Sequence, residues 1–212
     1  MDKLKISKMD FSTDFINENI GLYPLMGGTH YGSGANERFG GVIREQVEDG
    51  RYRLVAEKGS FEPEVEAYDA KKDPHRRMAV KRLIGNRFFS RYELSADILD
   101  RAGVGFDIKS EKTHLFVELT GDRYINAVLE ERCFVFDARL PEGESPRRIE
   151  GVTLVLEINA PKITVSVTHK GKTQQVVSLH LDALCDTGEC EVCLAAALEC
   201  PAVCVINEVK WL

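Results

Sequence analysis

Five segments in the second half of the chain constrain its fold most: His114–Leu119, Cys133–Ala138, Val152–Ile158, Ile163–Thr168 and Gln175–Leu181 are rich in valine, isoleucine, threonine and phenylalanine. β-Branched and aromatic side chains are restricted at χ1 and pack well on a pleated surface, so these segments favour strands over helices. Asn159-Ala160-Pro161 and His169-Lys170-Gly171-Lys172, both clusters of turn-forming residues, separate the last three. Connections this short permit only antiparallel pairing. An antiparallel sheet is therefore predicted for this part of the chain.

Two further stretches read as strands. Leu4–Phe11 alternates apolar and polar residues, the period of a half-buried strand. Val42–Gln46 and Tyr52–Ala56 flank Glu48-Asp49-Gly50, whose Asp-Gly pair is suited to a hairpin turn. Between them, Gly21–Gly41 holds seven glycines and a proline and predicts a long loop. Its Gly27–Gly34 portion resembles a phosphate cradle only in glycine content, because it lacks the lysine and hydroxyl residue that a P-loop requires.

Helical expectations arise in two places. Asp73-Pro74 offers a capping side chain followed by a residue suited to a first helical turn, and Met78, Val80, Leu83, Ile84 and Phe88 supply an apolar face beyond it. Ser90 or Ser95 then caps a second helix carrying Leu94, Ile98, Leu99 and Ala102, which Gly103 ends. Near the C-terminus, Asp186-Thr187-Gly188 opens a short Cys-rich helix running through Glu199, Pro201 closes it, and Val203–Trp211 forms a last strand. The predicted fold class is α+β: mostly antiparallel sheet, a central helical pair and a short Cys-rich C-terminal helix. With 212 residues, 43% hydrophobic and 29% charged, the chain suffices for one body over 1–212. The segment 141–146 is the place where a division into 1–140 and 147–212 would fall.

Cysteine placement carries the first functional expectation. Cys133 stands apart, while Cys185, Cys190, Cys193, Cys200 and Cys204 follow the spacing C-x4-C-x2-C-x6-C-x3-C. Thiolates that converge on one point bind zinc or an iron–sulfur cluster, and five cysteines exceed the usual four ligands. On a helix, Cys190 and Cys193 would share a face and sit in its first turn, where free amides lower a thiol pKa. The leading reading is a cytoplasmic binding or regulatory protein holding zinc or an iron–sulfur cluster on these five residues. The alternatives are a thiol-dependent enzyme or redox switch using Cys190 and Cys193, and plain burial of cysteine as a small apolar residue. His180 lies near enough to Cys185 to suggest a mixed site, although a histidine in a strand is more often structural.

Charge carries the second. Between positions 71 and 91, eight basic residues face Asp73 alone, although the whole chain has 28 basic and 34 acidic residues and a net charge of −6. Arg76, Arg77, Lys81 and Arg82 on a helix would suit phosphate contacts. Pairing with the acidic residues at 57–69 is the simpler account, and the acidic remainder opposes approach to a polyanion. Nucleic-acid binding is thus not expected, whereas a homo-oligomer stays open. No apolar run approaches the ~20 residues of a membrane span. The first twenty residues lack the apolar stretch of a secretory leader, so a cytoplasmic location is expected. No arrangement of serine, histidine and carboxylates identifies a catalyst, and whether the chain is an enzyme is left undecided.

Overall fold

A computed structural model describes residues 6–11, 20–24, 41–58, 76–129, 132–141, 147–180 and 190–212. These form thirteen strands and, among the described residues, no helix. In chain order they are β1 (Ser7–Lys8), β2 (Ile20–Pro24), β3 (Gly41–Glu48), β4 (Arg51–Lys58), β5 (Arg76–Gly85), β6 (Arg91–Ser110) and β7 (His114–Thr120). There follow β8 (Tyr124–Leu129), β9 (Arg132–Asp137), β10 (Ile149–Asn159), β11 (Lys162–His169), β12 (Lys172–His180) and β13 (Cys190–Trp211). Every pairing between them is antiparallel.

Two strands, β6 with 20 residues and β13 with 22, organise the rest. Their first-sheet portions pair Tyr92 through Asp100 with Val203 through Trp211, and this sheet runs β12-β11-β10-β6-β13-β4-β3. Their second-sheet portions pair Ala102–Ser110 with Cys190–Leu198, and here the order is β9-β8-β7-β6-β13-β5-β2. The transition is marked by a register shift between Leu198 and Val203 and by Arg101 at φ 42°. Pro201 lies in this gap, where its missing amide costs no ladder bond to β6. A straight strand would put Tyr92 and Phe106 roughly 46 Å apart at ~3.3 Å per residue. Their ring centroids are 5.5 Å apart, so β6 folds back on itself and its two portions face each other. The result is a large antiparallel β-sandwich whose sheets share two bent strands, as where strands turn a corner between packed sheets.

The interior follows from period-two alternation. Tyr92, Leu94, Ala96 and Ile98 of the first sheet and Val104, Phe106 and Ile108 of the second point inward with Leu115, Ile125, Leu154, Val165, Leu194 and Ile206, all within one core cluster. Phe11 stacks on Tyr52 at 5.8 Å, adding the N-terminal segment to that core. Arg82, almost wholly buried, pairs with Glu45 and stacks over the Tyr52 ring at 5.9 Å. Burial raises the Tyr52 hydroxyl pKa, so this ring stays neutral beside the ion pair.

The α+β expectation is overturned by these strands. The proposed helices after Asp73 and after Ser90 are β5 and β6. Leu94, Ile98 and Ala102 are separated by four residues, a spacing that both a helix and a strand place on one side. Buried Ala96 between them, with partly exposed Glu93, Ser95 and Asp97 alternating against it, is the strand pattern. The Cys-rich helix is likewise absent: 190–199 belong to β13, hydrogen-bonded between β5 and β6. Alanines 195–197 favour a helix in isolation, but here they fit between neighbouring strands, and tertiary context overrides propensity. β2 takes the first four residues of the expected Gly21–Gly41 loop and β3 its last, while 25–40 lie outside the described residues. The hairpin forms as expected, β3 with β4, turning at Asp49 and Gly50, both at positive φ. The five β-rich segments are strands β7 and β9 to β12, and β8 is an additional one.

Candidate functional site

The second sheet is buried on both sides where β6, β7 and β13 run through it. While Val104, Phe106 and Ile108 enter the sandwich interior, Gly103, Gly105 and Asp107 turn to the outer face together with Phe116, Glu118 and Thr120 of β7, and all six are buried. Cys193, Ala195 and Ala197 of β13 continue this face, and Ala195 and Ala197 cluster with Phe116 and Val128. Small residues keep the floor low beneath Phe116. Gly105 is required there: a Cβ at this position would run into the Val117 carbonyl of β7.

Two carboxyl groups break this apolar floor. Glu118 is completely shielded from solvent, and Asn126 Nδ2 on β8 donates to its Oε1 at 2.7 Å. Asp107 is 3% exposed, with its Oδ1 lying 2.6 Å from Nε2 of the part-exposed His114. A buried carboxyl needs such partners because desolvating a charge without them is costly. Register fixes their relation. Asp107 is opposite Phe116 and Glu118 is opposite Gly105, so the two acids are diagonal neighbours on adjacent strands. Diagonal neighbours stand roughly 7–8 Å apart. Asp107 leans to His114, away from Glu118, which keeps the two carboxyls apart.

The cysteine expectation meets a different geometry. A three-residue separation places Cys190 and Cys193 on opposite faces of β13: Cys190 belongs to the interior cluster, and Cys193 lies on the outer face opposite Asp107. Cys204 is in the interior of the first sheet. Cys200 lies within β13, and Cys185 lies outside the described residues. The expected lowering of thiol pKa is reversed at Cys190, which burial pushes up to about 11, and burial likewise pushes Cys204 up to about 12 although no lowering was expected there. Among the described residues no three His, Cys, Asp or Glu side chains are grouped to hold a metal. The reading as a cysteine-metal regulator is thereby corrected, as is the paired-thiol switch built on a helix start. The basic helix proposed for nucleic acid is strand β5, and Arg82 is taken into its ion pair with Glu45.

Asp107, His114, Glu118 and Asn126 were not singled out by sequence reasoning. The usable signal was Glu118 within Leu115-Phe116-Val117-Glu118-Leu119, a lone charge in a segment apolar on both of its alternating faces.

The fold defines a class: it is a jelly-roll-like β-sandwich similar to glucanases. A β-1,3-1,4-glucanase (lichenase) derived from a mouse hindgut metagenome superposes with TM-score 0.56 at 10% identity, covering 97% of this chain and 98% of the other. A laminarinase from Flavobacterium sp. UMI-01 gives TM-score 0.52 at 12% identity over 97% and 98%. LamAcat from Zobellia galactanivorans gives TM-score 0.52 at 12% identity over 91% and 89%. At such identities the likeness is one of fold. No family model and no curated protein matches the sequence.

Proposed function

We propose that this protein acts on a glucan-type polysaccharide through the outer face of β6, β7 and β8, as an inverting glycoside hydrolase. The observation that carries this reading is the diagonal placement of Asp107 and Glu118 on one face of a glucanase-like sandwich. Their backbone positions are roughly 7–8 Å apart, and the inverting mechanism needs ~6.5–9.5 Å between the carboxyl groups themselves to leave room for a water. Retaining chemistry uses a closer pair, at ~5–5.5 Å.

In the corresponding reaction, the Glu118 carboxyl gives its proton to the glycosidic oxygen as the bond to the anomeric carbon breaks. Water attacks that carbon from the opposite side and passes a proton to Asp107. His114, which touches Asp107 and reaches solvent, gives this proton a way out. Asn126 holds one Glu118 oxygen and so orients the other.

A second reading, glycan binding without cleavage, is favoured by the burial of both acids, because shielded carboxyls do not meet a polymer directly. Incubation with mixed-linkage β-1,3-1,4-glucan separates the two. Hydrolysis predicts new reducing ends of inverted anomeric configuration by NMR, and their loss in Glu118→Gln with retention of polysaccharide binding. Binding without reducing ends supports the second reading. Absence of both from folded protein sinks the glycan reading altogether.

A further inference from the structure

At the far end of the first sheet, an open recess of about 90 Å³ is lined by Ile6, Arg91, Glu93, Lys210, Trp211 and Leu212. This is below the ~300–1,000 Å³ of enclosed small-molecule sites, so a ligand here would lie against an open wall and not be engulfed. Main-chain hydrogen bonds of 3.0 Å in both directions tie Arg91 to Leu212, and Ser90 Oγ donates to the Leu212 carbonyl at 2.8 Å, so the rim is held in place. Trp211 is the only tryptophan of the chain and rests against Phe89 at 6.1 Å, half-buried. Ile6, at 61% exposure, gives the recess an apolar lip.

The charges around it belong to a ladder across four strands. Arg91 reaches Glu93 at 2.8 Å and Glu157 at 2.5 Å, Lys8 reaches Glu208 at 2.8 Å, and Lys210 pairs with Glu208. Three cations thus balance three carboxylates. They act on one another: Lys210 and Lys8 hold the Glu208 carboxyl below its usual range, and Glu208 holds the Lys210 ammonium above its own. A balanced array holds no surplus charge for an ionic ligand. It does present carboxylate acceptors beside guanidinium and ammonium donors in fixed positions, which is what adjoining hydroxyl groups, each both donor and acceptor, can satisfy. An apolar lip and indole edge beside it suit the C–H face of the same ring.

We propose that this recess binds a neutral sugar ring as a second glycan-contact site, on the first sheet, whereas Asp107 and Glu118 lie on the second. The choice of ligand class rests on the glycan reading above, while the site itself stands on the recess and its ladder.

Because Trp211 is the only indole, its fluorescence reports the recess directly. Titrating full-length protein with a β-1,3-1,4-linked glucan trisaccharide should give a saturable change in emission, equally in wild type and in Glu118→Gln. Glucuronate and inorganic phosphate should give none. Glu93→Ala and Lys210→Ala should each weaken the response at least tenfold while circular dichroism stays unchanged. If either variant fails to fold, Ile6→Lys, which fills the lip from the exposed side, must produce the same weakening. A silent tryptophan at ~10 mM trisaccharide, beyond the weakest useful affinities, overturns the proposal. A response to phosphate stronger than to the trisaccharide overturns it too. Loss of glucan cleavage in Glu118→Gln with a silent tryptophan would uphold the acid pair and reject the recess, and the converse pattern would do the reverse.

Discussion

Replacing Phe106 by alanine tests the doubling-over of β6 on which the whole sandwich depends. Phe106 is completely buried in the second-sheet portion of the strand and meets Tyr92 of the first-sheet portion at 5.5 Å with a tilted ring geometry. Removing a fully buried phenyl ring costs ~3–5 kcal/mol when the surroundings relax only in part. For a chain of 150–250 residues each kcal/mol lowers the melting temperature by ~2–4 °C, so a drop of roughly 6–20 °C is expected. Urea denaturation followed by circular dichroism and by Trp211 emission should give the same midpoint shift. A double-mutant cycle with Tyr92→Ala should show a coupling of ~0.5–1.5 kcal/mol, the value of a well-placed aromatic pair. A loss below about 1 kcal/mol for Phe106→Ala, or additive effects in the cycle, would refute the packing of the two portions of β6 against each other.

Three further outcomes are expected. Arg101 occupies the left-handed region at the bend, a conformation that costs a non-glycine residue ~1–2 kcal/mol, so Arg101→Gly should unfold at equal or higher urea and Arg101→Val at lower. Cys190 and Cys204 should resist iodoacetamide in native protein at pH 7, with Cys190 labelling faster only as pH rises toward about 11, and rapid labelling of either at pH 7 would contradict their burial. The folded-state pKa of Glu208 is depressed by Lys210 and Lys8, so its stabilisation is present above the unfolded value and lost as pH falls through the folded one. Glu208→Gln should therefore flatten the acid limb of the stability–pH curve, by no more than ~1 kcal/mol for so exposed a pair and less in high salt.

What could be read from the sequence depended on which periods a spacing allows. In β10 and β11, Val152–Ile158 and Ile163–Thr168 combine β-branched residues with turn clusters at their ends, and local chemistry agrees with the fold. In β6, Leu94, Ile98 and Ala102 are four apart and fit a helix as well as a strand, and it is Tyr92 and Ala96 that complete the period of two. Around 194–198 the local preference opposes the fold: Leu-Ala-Ala-Ala-Leu favours a helix, and only the neighbours β5 and β6, distant in sequence, impose the strand. The candidate site shared that dependence. Glu118 meets Asn126 eight residues away, and Asp107 meets His114 seven residues away, through register that no local spacing encodes. The same error moved the cysteines, since a helix puts Cys190 and Cys193 together and a strand sends them to opposite sides.

The shared strands also set the order in which the chain can assemble. β6 ends at Ser110 and its partner β13 begins at Cys190, so about 80 residues intervene before either sheet gains the strand that flanks β6 on its second side. At ~5–20 residues per second on the ribosome, that gap lasts roughly 4–16 s. During it, β6 has β7 and β10 along one side, while its other side lacks the strand that links it to β4 and β5. Such an unpaired apolar edge is a template for pairing with another chain. Closure of this kind is slow and non-local, and it makes β13 the element whose late arrival commits both sheets at once.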